Sequence, residues 1–353
     1  MSESHHATPG ASPLLVDPLL VEVSRGPAVE SAHRVALAVV DTDGRVLLAA
    51  GDYERPVYPR SAIKPLQAIP LVESGAADSA GREPADIALA CASHAGMAMH
   101  TTRAGRWLVD LGLSPDDLVC HAHWPNDEAT AHALVRAGAA PSRLHNNCSG
   151  KHTAMLATAR HLGEAVAGYD RPGHPVQQRI LGLLEQMGGH DLEGAARAID
   201  GCGLPVIAMP LGAMALAWAR FADPAGLADR RATAIGRIHR AMADHGDLLA
   251  GPGRFDSVLN SVCGGAVLTK GGAEGVACAA IAPTVNTPGL GIALKVADGA
   301  GRAAPVALMA VLDRLAVLSD QASTALQPWR TTPLTNWAGV VVGEIRPVAK
   351  PAF

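Results

Sequence analysis

Aromatic side chains are scarce in this sequence, since only 3% of its 353 residues are Phe, Trp or Tyr. A hydrophobic core therefore has to be built from Ala, Val, Leu and Ile, and the 48% hydrophobic composition supplies them in quantity. This composition predicts a globular chain and excludes a disordered one.

A strong excess of charge of either sign is also absent, because the formal net charge is −4 at pH 7. No basic stripe indicates a nucleic-acid partner. No run of about 18 charge-free apolar residues predicts a membrane span, and the first twenty residues lack the features of a signal peptide. We therefore expect a soluble cytoplasmic protein that binds neither nucleic acid nor membrane.

No two cysteines show the C-x₂-C spacing of a zinc finger, so the sequence argues against a structural zinc site of that kind. In the cytoplasm they are expected to be reduced, and small buried thiols of this kind are most often core residues. The six are Cys91, Cys120, Cys148, Cys202, Cys263 and Cys278.

Strand-like segments lie near both ends of the chain, and helical apolar spacing dominates the segments between them. The first pair of strands surrounds Asp43-Gly44, a strong hairpin signal, in "HRVALAVVDTDGRVLLAA". A second pair, "GVACAAIAPTV" and "GLGIALKVADG", follows much later. The pattern predicts an α+β (α/β) fold, with an antiparallel sheet from the N- and C-terminal segments and a large helical insertion.

No composition break or repeat marks a second domain. We expect a flexible arm over residues 1–20 and a single catalytic domain over 21–353. Within it, the sheet part is predicted at 21–60 and 264–353, and the helical part at 61–263.

The segment "RSAIKPLQ" places Ser61 and Lys64 three residues apart, on one face of a helix if a helix forms there. Pro65 belongs in a first helical turn and disfavours α geometry at Lys64, so the turn is expected to be 3₁₀ or strained. Free backbone N–H groups at such a helix start can stabilise an oxyanion. A neutral Lys64 could take the proton of Ser61, whereas on an exposed face the pair would be an ordinary surface feature.

Two further segments fit a serine–lysine catalytic set. Ser93 occurs in "CASHAG", and Lys270 precedes Gly271 at the end of an apolar strand in "AVLTKGGAEG". This order matches the S-x-x-K, serine and lysine–glycine motifs of class A β-lactamases and penicillin-binding proteins. The alternative is that Ser93 is a loop or cap serine.

Cys148, in "HNNCSGKHTAM", and Cys202, in "DGCGLP", lie in turns that could bring two thiolates to one zinc ion. From spacing alone, the favoured interpretation is that Cys148 and Cys202 are two separate core residues. A Cys148–His152 thiol nucleophile is a third alternative, but no acid that would orient it is visible. The "VCHAHWPND" segment is interpreted as a packed loop.

Several motifs in their chain order resemble one family over residues 20–350. They are "PRSAIKPLQ", "CASHAG", "HNNCSGKHTAML", "GHPVQ", "DGCGLPV", "AGPGRFD" and "TKGGAEG". The chain resembles the asparaginase II family of the rhizobial, serine-dependent type.

The resemblance implies a fold similar to serine β-lactamases and glutaminases, hydrolysis of L-asparagine to L-aspartate and ammonia, and a homodimer. It implies two Ser–Lys tandems and a zinc site with a lysine ligand, which must be deprotonated to bind the metal. The matching positions are Ser61 with Lys64, Ser93 with Lys270, and Cys148, Lys151 and Cys202 for zinc.

Candidates for the substrate's carboxylate are His152 and Arg254, although Arg254 could equally be a salt-bridge residue. One position departs from the resemblance, since Met97 stands where the family often has an acidic residue. Two alternatives therefore remain. One is another serine–lysine hydrolase, such as a glutaminase, a β-lactamase- or peptidase-like enzyme or an esterase. The other is a non-catalytic zinc- or amino-acid-binding relative.

Overall fold

The computed structural model describes residues 17–351 and centres on an antiparallel sheet. Its strands, in chain order, are β1 (Leu19–Arg25), β2 (Ala28–Asp41), β3 (Val46–Ala50), β4 (Pro56–Val57), β5 (Arg197–Ile199), β6 (Pro205–Ile207), β7 (Met209–Pro210), β8 (Val267–Gly272), β9 (Val276–Ile281), β10 (Leu290–Val296), β11 (Thr332–Thr335) and β12 (Val341–Pro347). Across residues 17–351, eight of them form the main sheet in the order β11-β12-β1-β2-β10-β9-β8, with β3 paired to β2. β4 pairs with β7, and β5 with β6.

Most helices lie, in the sequence, between the N-terminal and the C-terminal strands of the main sheet. They are α1 (Lys64–Gln67), α2 (Ile69–Glu73), α3 (Ala76–Ser79), α4 (Pro84–Ala90), α5 (Ala98–Asp110), α6 (Glu128–Arg136), α7 (Ser149–His161), α8 (Pro175–Gly188), α9 (Leu211–Ala222), α10 (Asp229–Asp244), α11 (Asp247–Ala250), α12 (Phe255–Val262), α13 (Ala303–Leu315), α14 (Asp320–Ala325) and α15 (Gln327–Arg330). Short 3₁₀ helices cover Arg60–Ile63, Pro115–Asp117 and Arg143–His145. No helix within residues 17–351 combines the length and apolarity needed to cross a membrane.

The central strands are apolar on both faces because the sheet lies between two layers of helices. In β2, Val35 and Leu37 face one hydrophobic cluster, and Ala36 and Ala38 face the other. Side chains alternate between the two faces of a strand, so each cluster receives every second residue. α9 packs on the face with the alanines, and α13 packs on the opposite face.

Small residues let α9 approach the sheet closely. Gly291 of β10 lies directly under this helix, and a Cβ at this position would overlap the carbonyl oxygen of Ala215 and the amide nitrogen of Ala219. With few aromatic side chains available, the contact is made by backbone and alanine surfaces at close range. The buried side chains are dominated by Ala, Val, Leu and Ile, as the composition predicts.

The predicted fold class is confirmed, since strands from both ends of the chain form one antiparallel sheet with helices between them. The hairpin at Asp43-Gly44 is present between β2 and β3. Two details differ from the prediction: the short strands β5 to β7 interrupt the helical part, and α13 to α15 lie within the C-terminal sheet part. Strands of two or three residues are too short to show an alternating pattern.

The predicted arm falls mostly on residues 1–16, which lie outside the described residues. Its last two positions are already in β1, since this strand begins at Leu19. The strand pairs with both β2 and β12, which ties the start of the described chain into the sheet.

We predict that Gly291→Ala destabilises the protein by about 3 kcal/mol, because the added methyl group must displace α9 from the sheet. Chemical denaturation followed by circular dichroism measures the change. The matched control is Gly173→Ala, where an added Cβ meets nothing within 4 Å. Equal stability of the two variants would contradict the described contact between α9 and β10.

Candidate active site

A strained turn presents Ser61. The chain leaves β4 and enters the 3₁₀ helix Arg60–Ile63, where Arg60 has a φ of +51°. A non-glycine residue in this left-handed region is uncommon, and such strain is concentrated at functional sites. α1 then begins at Lys64, with Pro65 at its second position. The predicted Ser–Lys spacing therefore spans a 3₁₀ turn and the start of an α-helix.

Lys64 is fully buried directly behind this turn. Its Nζ lies 2.5 Å from the carbonyl oxygen of Ala92, 2.9 Å from Ser93 Oγ and 3.5 Å from the carbonyl oxygen of Asn147. Burial lowers the pKa of Lys64 to about 8, with a smaller contribution from the positive charges of Lys151 and Lys270. A neutral amine can donate to the two carbonyl groups and direct its lone pair at a hydroxyl group.

The segment containing Ser93 is held by backbone and histidine contacts. Ser93 N–H donates to the carbonyl oxygen of Leu249 at 2.8 Å, and the fully buried His94 follows it. Gly96 N–H donates to His94 Nδ1, so the opposite nitrogen, Nε2, donates to Ser149 Oγ at 2.9 Å. Burial and the neighbouring histidines hold the pKa of His94 well below its usual value, which keeps the ring neutral. His94 is a positioning residue that the sequence analysis missed, although it adjoins Ser93.

The two predicted thiol ligands meet the predicted lysine ligand. Cys148, Lys151 and Cys202 are each about 95% buried, and Lys151 Nζ lies 3.2 Å from Cys202 Sγ. A hydrogen bond from Cys202 and the nearby lysines hold the pKa of the Cys148 thiol well below its usual value. The charge of this thiolate, with smaller contributions from Cys202 and Asp200, in turn raises the pKa of Lys151 despite its burial. Without a metal, the cluster is thus a thiolate paired with an ammonium group.

Asp200 connects this cluster to the strained turn. Its Oδ1 lies 2.5 Å from Arg60 Nε, and its Oδ2 lies 3.8 Å from Cys202 Sγ. Burial raises the pKa of Asp200, but Lys151 and Arg60 outweigh this effect and lower it, so the group is a carboxylate. Sequence analysis missed Asp200, whose position two residues before Cys202 in "DGCG" was the available signal.

Lys270 approaches the site from the opposite side, at the end of β8. Its Nζ lies 2.8 Å from Asp256 Oδ2 and donates to the carbonyl oxygen of Gly271 at 2.6 Å. Lys270 also contributes to the lowered pKa of Lys64, which indicates that the two amines lie in one electrostatic environment. Asp256 is a further residue that the sequence analysis missed.

A cavity of about 430 Å³ opens beside Ser61, and the side chains of Lys64, Ser93, Lys151 and Lys270 lie outside its wall. Its wall includes Ser61, Cys148, Cys202 and Asp200, with Ala273 following β8. Two larger cavities, of about 1080 Å³ and 640 Å³, lie elsewhere on the surface of the described chain. Of the site residues predicted from the sequence, only Lys151 lines one of these two larger cavities. We therefore place the candidate active site in the cavity of about 430 Å³ beside Ser61.

The predicted carboxylate-binding residues are not in the wall of this cavity. His152 is fully buried, and its Nδ1 lies 2.7 Å from the hydroxyl group of Tyr169. Arg254 is exposed at the start of α12, beside Asp256. Met97 is half-buried and caps the start of α5.

The chain belongs to the L-asparaginase II family, whose model matches residues 21–347. It is therefore a hydrolase of this family, and the match spans nearly all of the described chain. No curated protein sequence matches it.

β-Lactamases are among the solved structures to which this chain is similar. One is a mutant of the class A β-lactamase of the last common ancestor of Gram-negative bacteria, with 13% identity, a TM-score of 0.35 and coverage of 83% of this chain and 89% of that one. Another is a β-lactamase from Burkholderia vietnamiensis, with 17% identity, a TM-score of 0.36 and coverage of 84% and 91%. Similarity at this level says nothing about the site.

Proposed function

We propose that the protein hydrolyses L-asparagine to L-aspartate and ammonia through an ester on Ser61. The observation that supports this most directly is the buried Lys64 amine, whose pKa is lowered to about 8 behind the strained turn that presents Ser61. A lysine in this state can act as a general base near neutral pH. Membership of the L-asparaginase II family supports an amide substrate.

In the first half of the reaction, Ser61 Oγ attacks the side-chain amide carbon of asparagine while Lys64 Nζ takes the hydroxyl proton. The tetrahedral intermediate then collapses, and the carbon–nitrogen bond breaks. The proton on Lys64 passes to the leaving nitrogen through Ser93, whose Oγ lies 2.9 Å from Nζ. Ammonia and a β-aspartyl ester of Ser61 result.

In the second half, water attacks the ester carbon and loses its proton to Lys64. The bond from carbon to Ser61 Oγ breaks, and the proton returns to the serine. Aspartate leaves, and the residues regain their starting states. Lys270 is already paired with the Asp256 carboxylate, so we assign it the role of a fixed positive charge and not of a second base.

The developing oxyanion requires donors beside Ser61. The serine is the second residue of its 3₁₀ helix, and N–H groups in a first turn have no partner within the helix. Ala273 in the opposite wall follows the last residue of β8. We propose that backbone N–H groups at these two positions stabilise the oxyanion.

The substrate's α-ammonium and α-carboxylate groups require partners of both signs. Arg60 and Asp200 form an ion pair in the cavity wall and offer both. His152 and Arg254 remain predictions for the carboxylate, and Arg254 would have to move toward the cavity to serve it. Arg60 is the candidate that the cavity favours.

The donor set fits zinc. In a tetrahedral site with bond lengths of about 2.0–2.3 Å, neighbouring donors lie about 3.5 Å apart, and Lys151 Nζ lies 3.2 Å from Cys202 Sγ. A set of three conventional His, Cys, Asp or Glu ligands is absent from residues 17–351, so the third donor would be the lysine. We propose that Cys148, Lys151 and Cys202 hold zinc, which when bound supplies a Lewis-acidic charge beside the substrate.

The family resemblance also leads us to propose a homodimer, and the sequence a cytoplasmic location. Sedimentation equilibrium tests the first, and fractionation of the source cells the second. A monomer at micromolar concentration, or recovery outside the cytoplasm, would contradict these proposals.

We predict that Ser61→Ala lowers kcat for asparagine by about 10³-fold or more, because no ester can form without the hydroxyl group. Release of ammonia in a coupled assay measures it. Ser79→Ala, which removes a serine hydroxyl that hydrogen bonds to His161 on the surface, should retain normal turnover.

The same assay distinguishes the alternatives. Faster release of ammonia from glutamine, or cleavage of a chromogenic β-lactam, would favour another serine–lysine hydrolase. Release of no ammonia from any amide by a folded, zinc-containing protein would favour the non-catalytic binder, an alternative that Met97 keeps open.

The rate should also rise with pH and level off above about pH 8, because only the neutral Lys64 amine accepts the serine proton. Below this pKa the amine is protonated, so kcat/KM should fall about tenfold per pH unit. The control is Lys295→Met, which should leave the pH profile unchanged. Burial lowers the pKa of Lys295 as well, but its Nζ contacts only the backbone carbonyl groups of Glu274 and Val296, outside the candidate site. A flat profile from about pH 6 to 9 would contradict the role of Lys64.

Purified protein should contain about one zinc ion per chain, and Cys148→Ser or Cys202→Ser should remove it. Elemental analysis of the folded proteins provides the measurement, independently of activity. Cys263→Ser, at a half-buried cysteine outside the cluster, should retain the metal. Full zinc content in both ligand variants would show that the metal is bound elsewhere.

A further inference from the structure

Asp256 binds two parts of the end of β8 at once. Its Oδ2 pairs with Lys270 Nζ at 2.8 Å and accepts the Gly271 N–H at 2.9 Å. Lys270 is only 1% exposed, so water cannot neutralise its charge effectively. The single carboxylate of α12 is therefore both the counterion of the lysine and a backbone anchor for the residue after it.

The segment that Asp256 anchors lies against the turn of Ser61. A Cβ at Gly272 would lie 2.9 Å from the carbonyl oxygen of Pro59 and 3.2 Å from the amide nitrogen of Ala62. This close approach requires glycine, and it fixes the distance between β8 and the turn. Ala273, the next residue, is in the cavity wall with Ser61. A displacement of β8 would therefore change the cavity directly at the proposed nucleophile.

Lys270 and Asp256 form an ion pair at 2.8 Å in which the lysine side chain is almost completely buried. Removal of one member of a buried ion pair leaves the other charge uncompensated. Loss of the Asp256 carboxylate should thus affect the backbone position and the field of Lys270 together.

We infer that Asp256 is a positioning residue, which fixes the Lys270 ammonium group and the Gly271–Ala273 backbone against the turn of Ser61. This inference rests on the proposed function. Asp256 does not line the cavity, so it acts through Lys270 and the backbone and not on the substrate. Its loss should slow the chemical step more than it weakens substrate binding.

The test is a double-mutant cycle with Asp256→Asn and Lys270→Met, assayed with asparagine. Asp256→Asn should lower kcat by about 10²-fold and change KM less than about threefold. In the Lys270→Met background the same substitution should change kcat by less than about threefold, because the shared contact has already been lost. Asp256→Glu keeps the carboxylate and should recover at least about tenfold of the lost rate.

The matched control is Asp86→Asn. Asp86 also accepts a backbone N–H, from Glu83 at 3.1 Å, and pairs with a cation, Arg103, at 2.8 Å, but it lies outside the candidate site. Asp86→Asn should lower the melting temperature about as much as Asp256→Asn, but its kcat should stay within about twofold of the wild-type value. Circular dichroism spectra restrict the kinetic comparison to folded variants.

Three results would overturn the inference: an unchanged kcat in Asp256→Asn, the same fractional loss in both backgrounds, or a Glu variant as slow as the Asn variant. Failure of the proposed function is recognised separately. In that case the wild-type protein itself would release no ammonia from asparagine, or Ser61→Ala would retain activity.

Discussion

The proposed chemistry depends on a lysine side chain, Lys64, that has no contact with solvent. An ammonium group in the interior is costly, and Lys64 reduces that cost by becoming neutral near pH 8. The carbonyl groups of Ala92 and Asn147 accept hydrogen bonds from its N–H groups, and Ser93 Oγ lies 2.9 Å from its nitrogen. The turn of Ser61, the segment of Ser93 and the start of α7 converge on one amine. Each of them would lose its function if that amine were exposed and charged.

The fold provides this burial by enclosing the turn between the sheet and the helices. β8 presents Lys270 and Gly272 to one side of the turn, and α7 presents Cys148 and Lys151 to the other. Two charged clusters therefore flank the turn: the Lys270 ammonium group paired with the Asp256 carboxylate, and the Lys151 ammonium group beside the Cys148 and Cys202 thiols. Both act on Lys64, but only the second offers donors that suit zinc.

Much of the fold followed from local patterns. The hairpin at Asp43-Gly44 and the apolar runs of β9 and β10 identified the sheet, because turn residues and strand patterns are local signals. The positive φ of Arg60 had no such signal, because its turn packs against Gly272, a residue far away in the sequence.

The candidate site residues that the sequence indicated lie in motifs that resemble the family. The residues that it did not indicate take part in pairs between distant positions of the chain. Asp200 pairs with Arg60 across 140 positions, and His94 bonds to Ser149 across 55. Such contacts leave no spacing pattern in a single sequence. Asp256 lies 14 positions from Lys270 and was missed for the same reason, although the "AGPGRFD" motif contains it.

In the proposed reaction the β-aspartyl group of asparagine is transferred to Ser61, where it forms an ester. Mass mapping of acid-quenched protein tests this transfer most directly. Protein mixed with excess asparagine, quenched within the first turnovers and digested, should yield a β-aspartyl adduct on the peptide that contains Ser61. The adduct should be absent from Ser61→Ala. An adduct on Cys148 instead, or continued turnover with no adduct on any residue, would contradict the account.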